Sequence, residues 1–155
     1  MKSSKMGQKK IDMNFRYGIM LFEEDVADKV IKNGLTGIEF INCTLGRERN
    51  RFKEGRILYT FPKTSDKTII KKEDICNTCG RSGHYDAVGA PTEYWNFKNE
   101  IDNLSHDFYM SWEYHGTWDM GQTFPVPIVS QRFRCLMIEN YKLRHLRFEP
   151  ILEQE

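Results

Sequence analysis

The residues best equipped for chemistry are two cysteines held two apart: Cys76-Asn-Thr-Cys79, closed by Gly80 and followed by His84. A thiolate pair at this spacing is half of a zinc-ribbon site. The tight turn lets both sulfurs reach one tetrahedral ion, and glycine permits the turn. Four ligands are needed and the chain has no second pair. His84 and Cys43 are the expected completions, with His106 and His115 more remote. The metal set read from the sequence is thus Cys76, Cys79, His84 and Cys43, with zinc as the ion. A metal-free thiol turn and a redox pair share the same spacing. The redox reading wants its first cysteine at a helix N-terminus, and Gly80-Arg-Ser-Gly83 is a poor helix start. Cys79 and His84 imitate a nucleophile–base pair, but nothing suggests an orienting third group. A phosphate-cradling glycine loop, a G-x-S-x-G elbow and an H-E-x-x-H pair are missing from the sequence. The expectation is a protein that is not an enzyme.

A second cluster points to binding. Residues 94–124 hold nine aromatics, five acids and one base, Lys98. Acidic and aromatic composition suits docking onto a basic protein, because Trp and Tyr are efficient anchors. The expected contact residues are Trp112, Glu113, Tyr114, Trp118 and Asp119. Against this stands a basic run, Arg47, Arg49, Arg51, Lys53 and Arg56, net +3 after Glu48 and Glu54. It reads as a solvated connector. With the lysines at 2, 5, 9 and 10 it also supports an alternative, a zinc-knuckle nucleic-acid-binding protein.

The elements must fit 155 residues of net charge +1, 39% hydrophobic and 29% charged. That mixture excludes a disordered, collagen-like or coiled-coil chain and fits one domain. No apolar stretch reaches the roughly 20 residues a membrane span needs. The start lacks an apolar core, so residues 1–12 read as a solvated tail and 13–155 as the domain. Reduced thiols and a cytoplasmic location are expected.

Two segments repeat. Residues 18–42 and 125–150 superpose with one insertion before Leu143: Leu21 and Phe22 fall on Ile128 and Val129, Val26 on Phe133, Val30 on Met137, Ile31 on Ile138, and Phe40 on Phe148. Each reads as strand–helix–strand. A short apolar run precedes a cap, Ser130 in the second copy and Glu23 or Asp25 in the first. The helix stripe is Val26, Ala27, Val30 and Ile31, or Phe133, Leu136, Met137 and Ile138. Asn33-Gly34 is a C-terminal stop. An alternating strand follows, through Ile38 and Phe40 or Leu146 and Phe148. Cys135 falls on Asp28, an outward helix position. A β hairpin is expected over 56–75, with Ile57–Phe61 as one strand and Thr68-Ile-Ile70 opening the other. The fold class is α+β: two strand–helix–strand units flanking a central hairpin and a Cys-x-x-Cys knuckle.

Three phrases carry a resemblance. Ile128-Val-Ser-Gln-Arg132 leading to Leu146-Arg-Phe-Glu-Pro-Ile151 resembles the C-terminal signature of small bacterial proteins associated with polymorphic toxin systems. Asp107-Phe-Tyr-Met-Ser111 resembles the D-F-x-x-S step before it. Cys76 to Gly80 resembles the knuckle of the double-CxxCG proteins. The chain departs in carrying one Cys pair, and His145 where glycine is usual. The resemblance implies an immunity protein, which binds a cognate toxin, often a nuclease, and blocks it without chemistry. Charge steering would then speed capture.

Overall fold

The computed structural model describes residues 13–16, 19–45, 48–68, 72–75, 77–78, 82–85, 94–117, 122–141 and 148–155. They form an α+β arrangement of small sheets and three helices. The first sheet has the order β1-β2-β4-β3, with β1 Met13–Arg16, β2 Ile19–Glu23, β3 Ile38–Leu45 and β4 Glu48–Ile57. β4 runs antiparallel to both β2 and β3. β2 and β3 are therefore parallel to each other, joined by α1 (Glu24–Lys32) and split by β4.

The basic run is thus an interior strand, not a connector. Gly55 and Ile57 face α1 and the core, and Gly55 leaves room for Phe22: a methyl group there would come within 2.5 Å of the Phe22 ring. Lys53 lies on the same face and pairs with Asp28 of α1 at 2.7 Å. The hairpin is also displaced from the expected position. Ile57 ends β4, and the paired strands are β5 (Lys72–Ile75) and β6 (Ser82–Tyr85). Residues 76–81, with Cys76 and Cys79, connect them. Residues 69–71, in the hairpin's expected second strand, lie outside the described residues.

β7 (Tyr94–Phe97) leads into α2 (Lys98–Asp102) and pairs in parallel with β10 (Ile151–Gln154). The Lys98 ammonium joins these pieces. It reaches Asp102 at 3.1 Å and Glu153 at 3.4 Å, and its pKa is raised, first by the hydrogen bond and charge of Asp102, then by Glu153. β8 (Phe108–Thr117) and β9 (Gln122–Val129) form an antiparallel pair with a bulge between Met110 and Tyr114. Ser111 Oγ closes the bulge, accepting from the Val126 N–H at 2.9 Å and donating to the Glu113 carbonyl at 2.6 Å. Opposite Pro127, Met110 bonds away from β9, to Tyr59 and Phe61. The missing N–H groups of Pro125 and Pro127 thereby fall on the side of β9 turned from the ladder, where proline is tolerated.

The helices repeat as the sequence pattern implies. Val26, Val30, Phe133 and Met137 are all fully buried, in one core with Met20, Phe22, Leu35, Phe108 and Tyr141. Phe133 meets Phe108 at 4.7 Å and Phe22 at 6.5 Å between ring centroids. Two expected stripe members do not join: Ile31 is 58% exposed and Ile138 51%. Each follows a buried residue by one position, which turns it about 100° off the stripe. α3 (Gln131–Asn140) starts on Ser130, whose hydroxyl accepts from Phe133 N–H. α1 begins after Glu23, which makes no side-chain cap. α1 ends in a Schellman turn: Gly34 has φ +63°, its N–H bonds Ile31 O, and the Leu35 N–H bonds Val30 O. The second unit departs after its helix. Residues 142–147, with Leu146 and His145, lie outside the described residues. Phe148 packs on the core without belonging to a strand, and β10 pairs with β7 rather than with β9's sheet.

Candidate binding site

Residues from two of the three resemblance phrases meet in one place. Asp107 is 4% exposed. Its carboxylate accepts from the Thr36 N–H at 3.0 Å, the Ser130 hydroxyl at 2.6 Å and the Arg132 guanidinium at 3.1 Å. Thr36 follows α1, whereas Ser130 and Arg132 open α3. Arg132 reaches further and donates to the Asn33 carbonyl at the end of α1 at 3.1 Å. A cation there also suits the negative end of the helix dipole. Backbone bonds reinforce the joint: the Asp107 and Phe108 N–H groups go to Thr36 O, and Ser130 N–H goes to Asp107 O. Gly37 (φ +92°) permits this approach, since a Cβ would lie 2.6 Å from Phe108 O. Asp107 thus ties the end of one helix to the start of the other.

A second buried carboxylate organises the neighbouring surface. Glu113 is 1% exposed and accepts from both the N–H and the hydroxyl of Thr64 at 2.8 Å. It was expected on a docking face; here it anchors a loop. Three of the window's five acids have partners within the molecule: buried Asp107 in the joint, buried Glu113 under the loop, and exposed Asp102 on Lys98. Trp112 and Tyr114 are half-buried, and Lys63 Nζ lies 5.4 Å from the Trp112 ring centroid. Trp118 and Asp119 lie outside the described residues.

Of the expected metal set, Cys76 and Cys79 lie outside the described residues, as does the side chain of His84, whose backbone sits in β6 opposite Glu73. Cys43 is half-buried with a free thiol, beside the irregularity in β3. The described residues bring no three His, Cys, Asp or Glu side chains together. Cys135 is a half-buried helix thiol that accepts from the Gln131 side chain at 3.7 Å.

A cleft of about 1070 Å³ opens between β9, the start of α3 and the segment leading into β10. Phe61, Tyr109, Pro127, Val129, Phe148 and Ile151 make it largely apolar. His106 lines it and stacks on Tyr59 at 3.7 Å. No described helix is long and apolar enough to cross a membrane.

Comparison with protein-family models, with curated proteins and with solved structures found no match.

Sequence reasoning missed the role of Asp107 and the segment after β4. The signal available for Asp107 was its place in the D-F-x-x-S phrase. For the segment it was only an unbroken run of turn formers after an apolar pentad.

Proposed function

We propose that the chain is an immunity-type protein that neutralises a cognate toxin by protein–protein contact. One observation carries this reading: Asp107, Ser130 and Arg132, drawn from two separate resemblance phrases, form one hydrogen-bonded joint. Two short strings that meet in space make a more specific likeness than either alone. The joint gives the two phrases one structural role, and the functional expectation is what their resemblance implies. The basic run offers less to the nucleic-acid alternative than its composition suggests, since Lys53 is committed to Asp28 and Arg56 to Glu54.

The test is protection. Cells expressing the toxin encoded immediately upstream should grow when this chain is co-expressed, and the two polypeptides should co-purify. Continued killing at full expression of the chain would overturn the reading. The zinc expectation rests on the paired cysteines between β5 and β6. Elemental analysis of purified protein should find one zinc per chain, and zinc-free folded protein would leave the thiol-turn reading.

A further inference from the structure

Between β4 and β5 the chain runs through Leu58–Lys67 with no helix or paired strand beyond one bridge, Thr60 to Met110. Connections of this length usually either move freely or do something. This one is pinned along its whole course. Leu58 N–H bonds Gly37 O, Tyr59 O accepts from Met110 N–H, and Phe61 N–H bonds Met110 O. Pro62 O accepts from the Asn96 side chain, Thr64 is gripped by buried Glu113, and Ser65 N–H bonds Trp95 O. Thr68 closes the segment, its hydroxyl accepting from Trp95 N–H at 2.8 Å. The inward side chains, Phe61 and Ser65, are buried.

The exposed side chains along this strap and on the neighbouring β7 are mostly apolar and charged, with Asp66 exposed between the two lysines. Leu58 is 52% exposed and Tyr59 42%, with Phe97, next to Asn96, at 40%. Lys63 and Lys67 are exposed and lie over Trp112 and Trp95, at 5.4 and 5.1 Å from the ring centroids. Cation–π contact holds each ammonium in place while leaving its hydrogens free to donate. A strap held in this way loses little conformational freedom on binding.

We infer that the Leu58–Lys67 strap is the surface that docks the partner polypeptide, and that the partner presents an apolar pocket edged by carboxylates. The inference rests on the binding reading above and names its surface. Leu58 and Tyr59 supply the apolar anchors, and Lys63 and Lys67 the charge complement. A protein is favoured over a single-stranded nucleic acid because each half-buried indole already carries a lysine where a stacked base would lie. Glu113 acts as a positioning residue, through Thr64.

The experiment measures binding of the purified full chain to the purified toxin encoded upstream, in an inactivated form. Six chains are compared: wild type, Lys63→Glu/Lys67→Glu, Lys63→Gln/Lys67→Gln, Tyr59→Ala, Glu113→Gln, and Ile19→Ser on the far face of the first sheet. The charge reversal should weaken binding about 100-fold, mostly through a slower on-rate, and Tyr59→Ala about 30-fold. Ile19→Ser should bind as wild type. Lys63→Gln/Lys67→Gln, a milder change, should weaken binding about tenfold with an unchanged melting temperature, which separates lost contact from lost fold. Glu113→Gln should weaken binding and be partly rescued at lower temperature, where the strap is held. If wild type binds and the strap variants bind equally well, the inference falls and the immunity reading stands. If wild type fails to bind, both fall. If the lysine variants abolish binding to an RNA or DNA oligonucleotide instead, the partner class is overturned.

Discussion

The two helices carry the same apolar spacing but are finished at opposite ends. α1 begins at an uncapped Glu23 and closes in a glycine turn at Gly34. α3 begins on a capped Ser130 and runs out into the buried, extended Tyr141. The finished end of each helix is the one that meets Asp107. Internal repetition set the buried positions, Val26 with Phe133 and Val30 with Met137, and the joint then broke the symmetry. Asp107 is the polar contact that ties the end of one repeated unit's helix to the start of the other's.

Removing that contact should have the largest effect. Asp107→Ala leaves the Thr36 N–H, the Ser130 hydroxyl and the Arg132 guanidinium without their acceptor, and should cost about 4 kcal/mol in guanidinium denaturation. The two positive-φ glycines sharpen the comparison between an end that touches the joint and one that does not. Gly37→Ala should cost about 3 kcal/mol, because its Cβ meets the Phe108 carbonyl. Gly34→Ala has open space around it and should cost only about 1 kcal/mol, the strain of φ +63° alone. Ser130→Ala loses a cap and an Asp107 partner together, for about 1.5 kcal/mol by thermal melting. The equivalent pair off the stripe gives the smallest change: Ile31→Asn and Ile138→Asn should each stay within about 0.5 kcal/mol of wild type.

The helices were legible because burial follows a 3.6-residue period that Val26, Val30, Phe133 and Met137 obey, and because Ser130 and Gly34 carry their cap chemistry locally. β4 was not. Its inward positions include Lys53, whose stem lies on the sheet while its ammonium reaches Asp28, so charge masked the period of two. Asp107 was visible as one acid among five in its window and as the first residue of the D-F-x-x-S phrase, neither of which names its partners. Its partners Thr36 and Ser130 lie 71 and 23 positions away, beyond any local pattern. Glu113 misled for the same reason: an acid beside tryptophans reads as exposed until Thr64 is seen donating to it. Of the expected contact residues, Glu113 supports the strap from beneath, Trp112 and Tyr114 are half-buried, and Trp118 and Asp119 lie outside the described residues.

Native-state hydrogen exchange on Asp107→Ala tests most directly whether the joint unites both halves. The account predicts that amides of α1 and α3 lose protection together, each by about a thousandfold. If α3 alone lost protection and α1 kept its wild-type rates, Asp107 would be a local cap of one helix and the account of a shared joint would be contradicted.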